Sequence, residues 1–405
     1  MSIFYPALAH TDCIGYIDEA GNRKIMSVRH LIPRSMAQNF LISLSFDESI
    51  HYNNIINIGI PELGKLCNYP NFNTIFVDCG AFHYFNEKTP KFKKGGFVTS
   101  TTALDEYMRR HVKINPDTNY ILCSPDHIIL QNTNDADYEI RKFYIIKSAK
   151  SFIEKTKGIP NIIPIAVVHG RTTEERAEIA AELIKIGYNY LAFGGLVPMA
   201  RNPSEVLKQV AGINDITNPI INPNSALGLA IKAGCKTHMF GLNSPEWYRW
   251  WKRIGITSFD GSKLSQEGAA NGIIWKTNKL DIDNPPSTAK ELYSRISIKK
   301  IKNRRWVNKN GIGHLLCDED EIDTKSGGWE YFLQSVCTNR NCKQYSEIHH
   351  PDPRTTGSIE HNMGRMIINA YSFEKIMKNI DELCDVSDYK INDSRYDNWR
   401  KIVIR

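Results

Sequence analysis

Carboxylates stand directly after three apolar segments of the sequence. Asp78 follows the letters IFV, Asp126 follows ILCSP, and Asp260 follows SF. If these segments are strands whose carboxyl ends face one site, the three side chains converge, and converging carboxylates can serve as nucleophile and as general acid or base. A lone Asp at such a position more often caps the following helix, so each of the three taken singly has that structural alternative.

A histidine and a pair of glycines end two further apolar segments. His169 follows IAVV, and Gly194 and Gly195 follow YLAF. The backbone N–H groups of a Gly-Gly turn can donate to a ligand oxygen, whereas the structural alternatives are a tight turn and a hydrogen-bonded core histidine. The order and spacing of the five segment ends favour one shared pocket over five separate structural roles.

The elements that must position these side chains are short apolar runs separated by amphipathic stretches. Candidate strands are Phe40–Leu44, Thr74–Asp78, Tyr120–Cys123, Ile162–Val168, Tyr188–Phe193, Pro219–Asn222, Thr237–Leu242 and Thr257–Asp260. Helical patterns span Thr173–Ile186 and Ser225–Ala233. Eight strands alternating with helices predict an α/β fold, a TIM (β/α)8 barrel, although a doubly wound open sheet has a similar pattern. In a barrel the carboxyl ends of all the strands face the active site.

Composition indicates a globular protein with a sizeable core. The 405 residues are 41% hydrophobic and 23% charged, which excludes a disordered or collagen-like chain. The nine cysteines do not form the dense, even-numbered framework of a small secreted domain, and the apolar runs are too short to span a bilayer. We therefore expect a cytoplasmic protein with no membrane partner. The net charge of +7 is compatible with a polyanionic partner and too small to prove one.

The sequence changes in character after Ile282, where DNPPSTAKEL interrupts the alternating pattern. We predict a catalytic barrel over residues 1–283 and a C-terminal segment over residues 284–405. The segment contains a basic stretch, defined as Lys299, Lys300, Lys302, Arg304 and Arg305, and a cluster of Cys and His residues. We predict that the basic stretch contacts nucleic acid, with a solvated surface as the structural alternative.

The order of these motifs resembles the tRNA-guanine transglycosylase superfamily, whose members exchange guanine for a 7-deazaguanine base in nucleic acid. FVDCGAFHYF resembles the family's Asp-Ser-Gly-Gly-aromatic-Gln strand end, and CSPDHI resembles its second Asp motif. PIAVVHGRTTEER and YNYLAFGGLVP are similar to its Val-Gln-Gly-Gly and Ala-Ile-Gly-Gly-Leu strand ends. HMFGLNSPEW resembles its Leu-Met-Gly-Val-Gly-x-Pro motif, and TSFDGSKL resembles its Phe-Asp-Cys strand end. The resemblance covers roughly residues 70 to 365.

The resemblance implies catalytic roles for two of the carboxylates. Asp260 would be the nucleophile, and Asp78 would be the general acid and base. Exchange of a base without ATP breaks and remakes an N-glycosidic bond with retention, and two carboxylates on opposite sides of the sugar can do this through a covalent glycosyl-enzyme.

The resemblance also implies a base pocket, in which Asp126 would accept hydrogen bonds from the donor edge of guanine. The pocket would further contain Phe82, His169, Gly194, Gly195 and Phe240. Phe82 and Phe240 would stack on the two faces of a flipped base, with ordinary core packing as the alternative for both rings.

The family's structural zinc site implies a third group of residues, Cys317, Cys337, Cys342 and His361. The C-terminal segment would then be a zinc-binding helical subdomain attached to the barrel. A set of three Cys and one His closes the tetrahedral coordination of Zn²⁺ and leaves no catalytic position. The spacing departs from the family's Cys-x-Cys-x-x-Cys, so His314, His349 or His350 are alternative ligands, and unpaired cysteines in a helical tail are the structural alternative.

Departures from the tRNA-modifying pattern favour the DNA-directed branch of the family, which inserts bases such as preQ0. Gly-Ser-Lys follows Asp260 in place of Pro-Thr-Arg, His169 replaces a Gln, and Cys79 and Ala81 replace Ser and Gly. We therefore predict a DNA partner, with tRNA as the alternative, guanine or a 7-deazaguanine as the small substrate, and a homodimer as a candidate assembly.

Two other classes are weaker fits to the sequence. A non-catalytic partner subunit of such an enzyme would lack the catalytic carboxylates, whereas Asp78 and Asp260 are both present. A metal-dependent TIM-barrel hydrolase would need several His and Glu ligands at the strand ends, which do not show them.

Overall fold

The computed structural model describes residues 3–8, 13–17, 23–27, 39–44, 74–92, 95–112, 118–215, 220–269, 273–297, 369–370 and 372–384. Within these ranges the strands, numbered in chain order, are β1 (Ile3–Leu8), β2 (Cys13–Ile17), β3 (Arg23–Ser27), β4 (Asn39–Ser43), β5 (Thr74–Asp78), β6 (Asn119–Cys123), β7 (Ile162–Val168), β8 (Tyr190–Phe193), β9 (Lys236–Met239), β10 (Ser258–Gly261), β11 (Ile273–Thr277) and β12 (Tyr293–Ser297).

Eight of these strands close into a parallel barrel in the order β1, β10, β9, β8, β7, β6, β5, β4. Every neighbouring pair is parallel, including the closing pair β1 and β4. The closed barrel confirms the TIM-type α/β prediction and rules out the open-sheet alternative. The antiparallel pairs β2–β3 and β11–β12 lie outside the barrel sheet.

Seven of the eight predicted strands are barrel strands, with ends shifted by at most a few residues. The prediction of a strand at Pro219–Asn222 is wrong for its described part, residues 220–222. Asn222 donates its N–H to the carbonyl of Ala211, and its own carbonyl accepts from Ser225, so the chain turns here. The barrel strand that the sequence did not identify is β1. It contains Pro6, and proline lacks the N–H group that a strand normally uses in pairing.

Helices connect the barrel strands from β5 to β10, and one more follows β10. They are α1 (Ser100–Tyr107), α2 (Asp135–Thr156), α3 (Thr173–Ile186), α4 (Pro203–Ala211), α5 (Ala226–Lys232), α6 (Pro245–Arg253) and α7 (Lys263–Ala269), with 3₁₀ turns at Ala81–His83, Val197–Met199 and Ala289–Leu292 and a π turn at Met108–Val112. Both predicted helices are confirmed. Thr172 caps the start of α3 through the N–H of Glu175, and Gly187 ends the helix with a φ of 112°. No helix in the described ranges is long and apolar enough to cross a bilayer.

The C-terminal helix, residues 372–384, packs on the outside of β1 and β10. The Phe373 ring lies 4.6 Å from that of Phe4 and 6.3 Å from that of Phe259. Asp381 accepts hydrogen bonds from Tyr248 and Lys252 of α6, both at 2.7 Å. This part of the chain therefore shares the hydrophobic core of the barrel. The division at residue 284 stays a prediction, because residues 298–368 lie outside the described ranges.

The barrel interior is filled by side chains that alternate with the outward-facing core residues. Tyr5 and Phe76 meet at 5.6 Å between ring centroids, and Phe76 and His238 meet at 4.5 Å. The next residue along β10 after outward-facing Phe259 is Asp260, which is buried and bonds to His238. Strand alternation thus aims the carboxylate into the barrel.

Candidate active site

The carboxyl ends of β5, β6 and β10 bring three carboxylates to one end of the barrel. Asp78 is the last residue of β5, Asp126 lies three residues after β6, and Asp260 is the penultimate residue of β10. The pKa of Asp78 responds to the charges of both Asp126 and Asp260, so the three groups form one electrostatic cluster. The parallel closed sheet produces this convergence, because it points every strand end toward the same face.

The Asp78 side chain is half-buried. Its Oδ2 accepts hydrogen bonds from Ser43 Oγ at 3.0 Å and from the Gly80 N–H at 3.2 Å. Burial and the neighbouring charge of Asp126 nonetheless raise its pKa to about 7, against the lowering effect of these two bonds. A carboxyl group with such a pKa can give up and take back a proton near neutral pH, which suits a general acid and base.

Asp126 is buried and accepts a hydrogen bond on each carboxylate oxygen. The Cys79 thiol donates to Oδ1 at 2.7 Å, and His169 Nε2 donates to Oδ2 at 2.5 Å. The Tyr84 hydroxyl donates to the backbone carbonyl of Asp126 at 3.0 Å and holds the loop after β6 in place. A carboxylate has about four lone-pair positions, so Asp126 keeps capacity for the donors of a purine edge.

Gly194 and Gly195 lie against His169 at the end of β8. A Cβ on Gly194 would stand 2.5 Å from His169 Cε1, so the imidazole can pack here only because residue 194 is glycine. Gly195 has a φ of 70°, which favours glycine. The Gly194 N–H already donates to the carbonyl of Val168, whereas no hydrogen bond of the Gly195 N–H is found among the described residues. The Gly195 amide is therefore the better candidate donor to a base oxygen.

Asp260 is anchored at one oxygen. Its Oδ1 accepts the Gly241 N–H at 2.9 Å and a hydrogen bond from His238 Nε2 at 3.3 Å. Burial lowers the pKa of His238, although the bond to Asp260 opposes this shift. The ring is therefore neutral near pH 7 and donates through Nε2.

The two predicted stacking rings have different environments. Phe82 is 72% exposed on the 3₁₀ turn after β5, with the Phe85 ring 5.6 Å away. Phe240 is half-buried and lies edge-on to Phe76 at 5.7 Å and to His238 at 4.7 Å. Phe82 is thus free to contact a ligand, while Phe240 also belongs to the wall of the barrel. The stacking role of both stays a prediction.

Cys79, His238 and Arg176 belong to this region and were not assigned to it from the sequence. His238 lies two residues before Phe240, a spacing that puts both on one side of an extended chain. No spacing or motif in the sequence links Arg176 to the site. Its Nη1 donates to the Gly194 carbonyl at 2.9 Å, and burial lowers its pKa to about 10. It joins the ends of β7 and β8 through their backbone, which only the folded chain shows.

The predicted zinc ligands Cys317, Cys337, Cys342 and His361 lie outside the described residues, as does the basic stretch Lys299, Lys300, Lys302, Arg304 and Arg305. Within the described ranges no group of three or more His, Cys, Asp or Glu side chains is arranged to hold a metal ion. The zinc site and the nucleic-acid contacts therefore stay predictions.

Comparison with known proteins adds a relative. No protein-family model matches the chain. A protein named DNA-guanine transglycosylase, from Salmonella montevideo, is 22% identical to it over 207 residues. The match covers 47% of this chain and 41% of the relative, so less than half of that protein's length is matched. With the closed barrel and its clustered carboxylates, this similarity relates the chain to the guanine transglycosylase superfamily.

Proposed function

We propose that this protein is a base-exchange transglycosylase that replaces guanine in DNA with a 7-deazaguanine base such as preQ0, through a covalent glycosyl-aspartate. The observation that carries the proposal is the electrostatic cluster of Asp78, Asp126 and Asp260 at the mouth of the barrel. The name of the relative supports both the reaction and the polymer.

The reaction divides into two displacements at the same carbon. In the first, the Asp260 carboxylate forms a bond to C1′ while the C1′–N9 bond breaks, and the departing guanine takes the proton of Asp78. In the second, ionised Asp78 takes the N9 proton of the incoming base. Its N9 then bonds to C1′, and the Asp260 carboxylate is released. The pKa of about 7 at Asp78 suits both proton transfers.

Asp126 supplies the hydrogen-bond acceptors of the proposed pocket. Guanine and 7-deazaguanines share an N1–H and an exocyclic amine, and both suit a carboxylate that retains unused lone pairs. The Gly195 N–H would donate to O6, and His169 bonds to Asp126 at 2.5 Å. Duplex DNA hides the glycosidic bond, so the target base is flipped into this pocket, with Phe82 and Phe240 on its faces.

We propose two roles for the C-terminal segment, metal binding and contact with DNA. Cys317, Cys337, Cys342 and His361 would bind one structural Zn²⁺, and the basic stretch would contact the phosphates flanking the flipped base. The homodimer is proposed as a candidate assembly.

Label incorporation tests the function. Protein is incubated with duplex DNA, single-stranded DNA or tRNA together with labelled guanine or labelled preQ0. We expect label in DNA from both bases, and no incorporation by Asp260→Asn. A matched control is Asp105→Asn, since Asp105 is exposed on α1 and is not among the proposed site residues. This control should keep full activity.

The remaining outcomes identify the alternatives. Label in tRNA alone would make the protein a tRNA-guanine transglycosylase. If no polymer takes up label, the protein is not an active transglycosylase by itself, and the remaining alternative is a non-catalytic partner subunit of such an enzyme. Full exchange by Asp260→Asn would remove Asp260 as the nucleophile. A labelled oligonucleotide that stays bound to wild-type protein through denaturing electrophoresis would identify the covalent intermediate directly.

A further inference from the structure

The hydrogen bonds to Asp260 are asymmetric. Oδ1 accepts both the Gly241 N–H and the bond from His238 Nε2. No hydrogen bond to Oδ2 is found among the described residues. One oxygen of the carboxylate is therefore held by two donors from β9 and its following loop, and the other is left for the sugar carbon.

The hydroxyl groups on the far side of His238 complete a chain of hydrogen bonds that ends at Asp260. Its Nδ1 lies 2.8 Å from Ser258 Oγ, and Ser258 Oγ lies 2.5 Å from the Tyr190 hydroxyl. Burial raises the pKa of Tyr190 to about 12, so its hydroxyl keeps the proton. A carboxylate can only accept, so the neutral ring that bonds Asp260 carries its proton on Nε2. Nδ1 then accepts from the Ser258 hydroxyl, whose oxygen is left to accept from the Tyr190 hydroxyl. This arrangement places a donor in front of Asp260.

The imidazole has little freedom to leave this position. His238 is fully buried, and its ring is packed by Phe76 at 4.5 Å, Phe240 at 4.7 Å and Tyr5 at 6.1 Å. A carboxylate held by such a ring needs no reorganisation before it attacks.

We propose that His238 is a positioning residue, which holds Asp260 by Oδ1 so that Oδ2 faces C1′ of the target nucleotide. This inference rests on the proposed function, in which Asp260 is the nucleophile. As Oδ2 bonds to C1′, the electron pair of the C1′–N9 bond leaves with guanine, which takes its proton from Asp78. Oδ1 becomes the carbonyl oxygen of the ester and keeps both of its donors. No proton passes through His238.

Two amide variants separate this role from general packing. In His238→Gln the side-chain amide reaches about as far as Nε2 and can still donate to Asp260. In His238→Asn the amide reaches only as far as Nδ1 and contacts Ser258 instead. We expect kcat to fall about 10- to 100-fold in His238→Asn, with the KM for free guanine unchanged, and to fall less than about fivefold in His238→Gln. Rates of covalent adduct formation in a single turnover should follow the same order.

Equal kcat values in the two variants, both folded by circular dichroism, would overturn the proposal. The wild-type protein supplies a readout that depends on no variant: ¹⁵N NMR of labelled histidine should show His238 as the neutral Nε2–H tautomer. The Nδ1–H tautomer would overturn the proposal even if the variants fail to fold. Absence of exchange by the wild type would instead refute the proposed function, and the NMR result would still report on the bond to Asp260.

Discussion

Asp78 is the residue whose ionisation the fold changes most clearly. Its pKa rises from an ordinary 3.8 to about 7, because burial and the charge of Asp126 disfavour the carboxylate. Since the folded pKa is the higher one, the group's contribution to stability is fully present below about pH 4. That contribution is lost as the pH rises through about 7.

The Asp78→Asn variant should therefore gain thermal stability relative to wild type as the pH rises from 5 to 8. Its Tm minus that of wild type should increase over this window, whereas the same difference for Asp105→Asn should stay flat. A flat difference for Asp78→Asn would contradict the raised pKa.

The Asp78→Asn variant should also lose about 10²- to 10⁴-fold in kcat, the usual contribution of a general acid and base, measured by label incorporation.

At the scale of elements, the C-terminal helix 372–384 acts as an outer helix of the barrel. Phe373 is fully buried between Phe4, Phe259 and Trp275. Phe373→Ala should lower the free energy of unfolding by about 3–5 kcal/mol, because it leaves a cavity in the core. Chemical denaturation measures this change.

A matched control for that variant is Phe143→Ala, since Phe143 is 67% exposed on α2. Its free energy of unfolding should stay within about 1 kcal/mol of wild type. If the free energy of unfolding of Phe373→Ala falls as little as that of the control, the packing of residues 372–384 on β1 and β10 adds nothing to stability.

At the scale of the whole molecule, the proposed zinc site predicts about one zinc per chain by metal analysis. Removal of the metal with a chelator, or Cys337→Ser, should unfold the metal-binding part of the C-terminal segment before the barrel, seen as early protease cleavage within residues 298–368. Protein that is free of metal and equally resistant to protease would refute the site.

The basic stretch predicts a salt-dependent interaction with DNA. The double variant Arg304→Glu, Arg305→Glu should weaken DNA binding regardless of sequence and reduce the slope of log K against log salt by about two, while the affinity for free guanine stays unchanged. The double variant Lys232→Glu, Lys236→Glu is a matched control, because Lys236 begins β9 at the opposite end of the barrel. Equal slopes for the two variants would remove the basic stretch from the DNA site.

The sequence by itself determined the parts of the fold that local patterns encode. The bounds of α3 follow from Thr172 and Gly187, which cap its ends within a few residues of the pattern they terminate. Short apolar runs ending in Asp78, Asp126 and Asp260 were enough to predict barrel strands with a pocket at their carboxyl ends, because a parallel strand buried on both faces must be apolar along its length.

Only the tertiary structure decided which segment closes the barrel and how the site's polar groups pair. β1 contains a proline that weakens its local signal, and its place is secured by pairing with β10, more than two hundred residues away. The bonds of Asp126 to Cys79 and His169 join residues 47 and 43 positions apart, and His238 meets Asp260 across 22. Such contacts arise when distant strands pack side by side, and no local periodicity contains that information.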